Sequence, residues 1–126
     1  MSDGYAILSL DKVETAPHAL GFRAARVDAW KADTGGQLMP PHEENSGNEE
    51  LYAVVRGRAR FTVGEEEAEA PAGTLVFVPP GVHREATAAA PDTTVVVVGG
   101  RPGDGLPVSP FEYWYAAGPA LFVTVR

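Results

Sequence analysis

Apolar residues in this chain recur in short runs with a period of two, and helical periodicity is nearly absent. Stretches rich in β-branched and aromatic residues lie at residues 21–27, 50–55, 58–63, 74–78 and 93–98. Such runs, separated by turn clusters, read as strands of an all-β sandwich or barrel. The turn clusters are Gly35-Gly36, Pro40-Pro41, Pro71-Ala72-Gly73, Pro79-Pro80-Gly81 and the glycine-rich residues 99–103, each flanking a strand candidate. Proline cannot donate to a ladder and glycine weakens a strand interior, so both belong at such flanks. Fourteen glycines and eleven prolines in 126 residues fit a chain that turns often.

Alternation also assigns faces. A two-residue turn at Arg56-Gly57 would pair Val55 with Arg58, Val54 with Ala59, Tyr52 with Phe61 and Glu50 with Val63. One face then collects Glu50, Tyr52, Val54, Ala59, Phe61 and Val63, and the other Leu51, Ala53, Val55, Arg58, Arg60 and Thr62. The first face is the apolar one, and Glu50 is the carboxylate on it. A second turn at Gly64-Glu65 opposes Val63 to Glu66, Thr62 to Glu67, Phe61 to Ala68 and Arg60 to Glu69. The acidic run Glu65-Glu66-Glu67-Ala68-Glu69 is thereby read as turn and solvated strand edge.

Composition narrows the function classes. At 126 residues the chain makes one domain, residues 1–126, with a core barrel over about 21–100. A chain of this size buries roughly two-thirds of its unfolded surface. A net charge of −7 with ten Lys plus Arg argues against a nucleic-acid partner, which would meet clustered positive charge. The absence of cysteine excludes disulfides, thiolate metal sites and cysteine nucleophiles, so any metal would need His, Asp or Glu. Residues 1–5 have no basic region and no apolar stretch follows, so no signal peptide or membrane span is read, and a cytoplasmic location is expected. The aromatic C-terminal segment, residues 109–126, is expected to pack on the barrel or on another subunit, and Trp30 is likewise expected to supply burial area.

Two stretches, Glu50-Leu-Tyr-Ala-Val-Val-Arg-Gly57-Arg-Ala-Arg-Phe61 and Ala70-Pro-Ala-Gly73-Thr-Leu-Val-Phe-Val-Pro79-Pro-Gly81-Val-His-Arg84, resemble the paired motifs of the cupin superfamily. The resemblance implies a jelly-roll barrel. In cupins that bind a divalent transition metal, two His precede the Glu that Glu50 resembles, and a third follows the Gly that Gly81 resembles. Here the two preceding positions hold Ser46 or Asn45 and Glu44 or Glu43, and the following one holds Arg84, with His83 one place early. His42, eight residues before Glu50, would reach the site only if residues 43–47 bulge out, and His83 should point away unless a bulge intervenes. His42, Glu44, Glu50 and His83 are the metal candidates.

Without a metal, Glu50 and Arg84 become an opposite-charge pair directed into the barrel, with room for a guest. The expected pocket is lined by Tyr52, Val54, Phe61 and Phe77 and anchored at Glu50, Arg84 and His42. The leading reading is a cupin that binds a small organic molecule without a tightly bound metal. Two alternatives stay open. One is an enzyme, either metal-dependent with a dioxygenase- or isomerase-like His/Glu site, or metal-free with Glu50, His42 and Tyr52 moving protons. The other is a structural dimer without ligand. A homodimer is expected in each case, with Leu51, Ala53 and Val55 suited to sheet packing.

Overall fold

The computed structural model describes residues 7, 9–12, 18–19 and 25–103. Residues 21–24 of the first expected strand and the aromatic segment 109–126 lie outside the described residues. Among the described residues a short 3-10 helix, Leu10–Lys12, precedes nine strands: β1 (His18–Ala19), β2 (Arg26–Ala32), β3 (Gln37–His42), β4 (Glu49–Arg56), β5 (Arg58–Val63), β6 (Glu66–Pro71), β7 (Leu75–Val78), β8 (Arg84–Ala88) and β9 (Thr93–Gly100). They form one sheet in the order β1-β2-β9-β4-β7 and a second in the order β3-β8-β5-β6. All neighbours are antiparallel. The fold is all-β, as the period-two pattern requires.

Inward-facing residues of the two sheets meet in one core that includes Leu38, Met39, Tyr52, Val54, Ala59, Phe61, Val78, Ala86, Val95 and Val97. Alternation along β4 and β9 places Tyr52 opposite Val97 and Val54 opposite Val95, which gives this core its period. Glu50 sits on the same face, 5% exposed, as its parity with Tyr52 and Val54 dictates. The β5–β6 hairpin has the expected register, with Arg60 opposite Glu69 and Phe61 opposite Ala68. Its outer face carries the Arg60 Nη2 to Glu69 Oε1 ion pair at 2.8 Å.

The expected pairing of β4 with β5 is not what forms. β4 pairs with β7 and β9, and β5 pairs with β6 and β8, so Arg56-Gly57 is a corner where the chain crosses between sheets. Gly57, at φ +75°, serves the corner as it would have served a hairpin. The face assignment survives because a strand that turns a sandwich corner keeps its inner side inward. The same crossing corrects the placement of Phe77. It lies opposite Leu51 rather than Tyr52, on the outer face, and is 56% exposed. That face also exposes Leu51, Val55, Leu75 and Val98.

The pair Pro40-Pro41, expected to flank a strand, lies inside β3. β3 is an edge of its sheet, where missing N–H donors are tolerated. Its pairing with β8 slips twice, between Gln37 and Met39 and again between Met39 and His42; in the second slip Met39 faces Ala86 and His42 faces Arg84, three residues against two. The extra residue is a β-bulge, and it reverses parity. His42 therefore shares the inward face of Met39, where unbroken alternation would have turned it outward.

Candidate functional site

Between the sheets lies a cavity of about 220 Å³. Its polar lining comes from Arg26, His42, Glu44, Glu50 and Tyr52, and its apolar walls from Trp30, Met39, Pro40 and Val97.

Glu50 is fixed by its neighbours through one oxygen. Oε1 accepts a hydrogen bond from the Tyr52 hydroxyl and another from Arg84 Nη1 at 2.8 Å. Burial, and then the hydrogen bond to Glu50, push the Tyr52 phenol well above its ordinary pKa. Tyr52 is therefore a permanent donor that orients Glu50, and it is poorly suited to the proton-transfer role considered for it. Phe61 packs against Tyr52 with ring centroids 5.6 Å apart, behind the site rather than in its wall.

Arg84 is fully buried, yet it does not line the cavity. Its Nη2 donates to the carbonyls of Pro79 at 2.9 Å and Val82 at 3.1 Å, and its Nε to Val82 at 3.2 Å. The Pro79-Pro80-Gly81 turn thus wraps the guanidinium from one side and Glu50 closes the other. This corrects the expectation that Arg84 anchors a guest: its side chain is a clamp behind Glu50.

His42, brought inward by the bulge, places Nδ1 2.8 Å from the Pro40 carbonyl oxygen. A carbonyl can only accept, so Nδ1 carries the proton and Nε2 faces the carboxylates. Nε2 is 3.3 Å from Glu44 Oε1 and 3.8 Å from Glu50 Oε1. Glu44 is brought there by the loop after β3, whose backbone carbonyl at Glu44 accepts from the Gly81 amide at 3.2 Å. Three of the four metal candidates are thus together: one ligand atom each from His42, Glu44 and Glu50 lie within 4.8 Å of one another. His83 does not join this group.

Such a group could hold a metal ion. A backbone hydrogen bond on Nδ1 is how ligating imidazoles are usually oriented, and one imidazole with two carboxylates suits Mn, Fe or Zn. Against a cation at Glu50 Oε1 stands the Arg84 guanidinium, already bonded to that oxygen.

Sequence reasoning passed over Arg26, Met39 and Val97 and gave Trp30 a packing role alone. Trp30 does pack partly buried against the core, and it also walls the cavity. Arg26 shares its strand face with Trp30 by parity, and Asp28 between them is 3% exposed. Arg26 Nε donates to Asp28 Oδ2 at 2.7 Å, and this bond, ahead of every other influence, raises the guanidinium pKa. Charged residues alternating with Trp30 were the available signal.

The comparisons agree with this architecture. Residues 30–99 match the cupin domain family model. An uncharacterized protein of Streptomyces coelicolor is 39% identical over 72 residues, 57% of this chain, and the match spans 61% of that relative's length. A cupin protein from Bacteroides fragilis superposes with a TM-score of 0.67 at 20% identity, covering 97% of this chain and 98% of that one. An uncharacterized protein with a double-stranded β-helix domain from Klebsiella pneumoniae gives a TM-score of 0.65 at 21% identity, covering 80% of this chain and 94% of that one. At such identities the structural matches speak for the fold alone. The family match extends over more than half of the sequence and takes in the bulged strand, the Glu50 strand and the Arg84 clamp, and the chain belongs to the cupin domain family.

Proposed function

We propose that this cupin binds a small polar organic molecule in the cavity between its sheets, with Glu50 as the fixed acceptor that receives it. The observation that carries this reading is the state of Glu50: its side chain is 7% exposed, and it lines the cavity with one oxygen locked by Tyr52 and Arg84. Burying a carboxylate costs several kcal/mol unless it is paired, and the pairing here restrains the group while leaving its second oxygen free of hydrogen bonds among the described residues. Apolar walls with a few convergent polar groups are the usual form of a small-molecule site. At about 220 Å³ the cavity falls below the range of drug-sized pockets, which favours a compact guest.

A second reading rests on the approach of His42, Glu44 and Glu50. Those three residues would hold a divalent ion, which when bound would supply a Lewis acid in the cavity. The experiment that separates the readings is elemental analysis of tag-free protein with a thermal-shift screen of small metabolites, run on the native chain and on Glu50→Gln. The expected result is negligible transition metal and a stabilising compound whose effect is lost in the variant. Stoichiometric metal that disappears in Glu50→Gln would replace the first reading with the second. No metal, and no compound that distinguishes the two proteins, would reduce Glu50 and Arg84 to a structural salt bridge.

A further inference from the structure

The inner face of the first sheet places Arg26, Gly99 and Glu50 side by side on β2, β9 and β4. Arg26 is opposite Gly99 and Gly99 is opposite Glu50 in the two registers. Strands lie about 4.8 Å apart, so roughly 10 Å of sheet separates the Arg26 and Glu50 backbones, with a residue that has no side chain between them. Gly99 is not among the glycines with positive φ, so its backbone would accept other residues. What it supplies is space. A Cβ there would meet Glu50 Cγ at 3.2 Å and the Glu49 carbonyl oxygen at 3.3 Å, and would stand 3.6 Å from Glu50 Oε2.

The two charges facing this gap are both incompletely engaged. Arg26 spends Nε on Asp28, and its two terminal nitrogens have no hydrogen-bond partner among the described residues. Glu50 spends Oε1 on Tyr52 and Arg84, and Oε2, beside Gly99, has none among the described residues. Both residues line the cavity, and they do not close on each other as an ion pair within 4.0 Å. Glu44 adds a second carboxylate on the side of Glu50 and His42. The lining is therefore polarised, with the Arg26 guanidinium, on a side chain that is 61% exposed, on the β2 side and two carboxylates toward β4 and His42.

We infer that the guest is a small zwitterion of amino-acid type, its carboxylate met by the Arg26 guanidinium and its ammonium by Glu50 and Glu44, across the gap left open by Gly99. The inference rests on the small-molecule reading above and specifies its ligand class. A planar guanidinium whose orientation is preset by Asp28 suits a carboxylate, and a carboxylate whose rotation is blocked by Tyr52 and Arg84 suits an ammonium. A guest carrying both charges satisfies both ends at once. One carrying a single charge leaves the opposite end facing it unpaired. The Trp30, Met39 and Val97 walls would meet the carbon skeleton.

The test is isothermal titration of the full chain with glycine, β-alanine and 4-aminobutyrate, zwitterions of increasing span, beside propylamine and propionate, which each carry one of the two charges. The expected result is that at least one zwitterion binds about tenfold or more tightly than either singly charged probe. Its binding should weaken about tenfold or more in Arg26→Gln, an exposed position where the variant should fold, and in Gly99→Ala, which fills the gap. Equal binding of propylamine, or zwitterion binding indifferent to Arg26→Gln, would overturn the inference. A neutral or singly charged compound that binds in a Glu50-dependent way would overturn it while leaving the small-molecule reading standing. Silence of every probe, together with a metabolite screen in which Glu50→Gln changes nothing, would remove both.

Discussion

At Arg84 the chain encloses a complete guanidinium, with Glu50 on one side and the Pro79 and Val82 carbonyls on the other. A buried ion pair is weak evidence for net stability, because desolvation offsets the attraction, but breaking one partner alone leaves an uncompensated charge. Arg84→Met should therefore cost about 3–5 kcal/mol, since it abandons the Glu50 carboxylate in a site where Tyr52 is its one remaining close donor. Adding Glu50→Gln to that variant should restore part of the loss, because the stranded charge is gone. Urea denaturation of the two single variants and the double variant, read as a double-mutant cycle, checks this. Strict additivity would mean that the two side chains do not act as a unit.

The elements show a division of labour between corner and hairpin. Gly57 ends β4 at the crossing between sheets, and Thr93 fastens that corner: its hydroxyl lies 3.0 Å from the Arg58 carbonyl oxygen and 2.8 Å from that of Ala90, and accepts the Arg58 amide at 3.2 Å. A Cβ on Gly57 would stand 2.5 Å from Thr93 Oγ1 and 2.8 Å from its Cα. Gly64, in the β5–β6 hairpin, also has positive φ, but a Cβ there would meet nothing closer than Val82 Cγ1 at 3.9 Å. Gly64→Ala should cost about 1–2 kcal/mol for the left-handed backbone. Gly57→Ala should exceed it by about 1 kcal/mol or more, since overpacking adds to the same backbone term. Equal midpoints in urea for the two variants would mean that the corner yields without cost.

These two glycines also show what the sequence could reveal. A turn between alternating runs is legible in either case, and so is the inner face, because parity depends on backbone geometry alone. Whether the turn is a hairpin or a corner depends on which strands lie beside it, and those come from distant segments, β7 and β9 for β4 and β8 for β5. That is why parity puts Glu50 on the inner face but does not give its cross-strand partners, which are Val78 and Gly99 rather than Val63. The site was legible to the same depth. Glu50 follows from parity, but His42 follows from a bulge at Pro40-Pro41 that parity cannot supply. Arg26 depends on β9 standing between β2 and β4. Phe77 was misplaced for the converse reason, since an apolar residue in a strand says nothing of which side its partner strand presents.

Across the whole molecule the packed core and the cavity share one continuous space between the sheets, and adjacent residues of β3 sample both. The register shift between Gln37 and Met39 accompanies burial of Leu38 and Met39 in succession, at 1% and 3% exposure, yet Met39 alone of the two borders the cavity. Truncating Leu38 opens a void lined by apolar neighbours, which stays dry and keeps the full cost of lost contacts. Truncating Met39 instead enlarges a space that already has polar walls and can admit water, so part of the loss is recovered by hydration. Leu38→Ala should therefore fall in the range of about 2–5 kcal/mol usual for buried aliphatic truncations, and Met39→Ala should lie below it by about 1 kcal/mol. Equilibrium unfolding in urea gives both values on one scale, and unchanged m-values would show that the comparison concerns the native state. If Met39→Ala proved as costly as Leu38→Ala, the wall at Met39 would be core rather than binding surface, and the carbon skeleton of any guest would have to rest on Trp30 and Val97 instead.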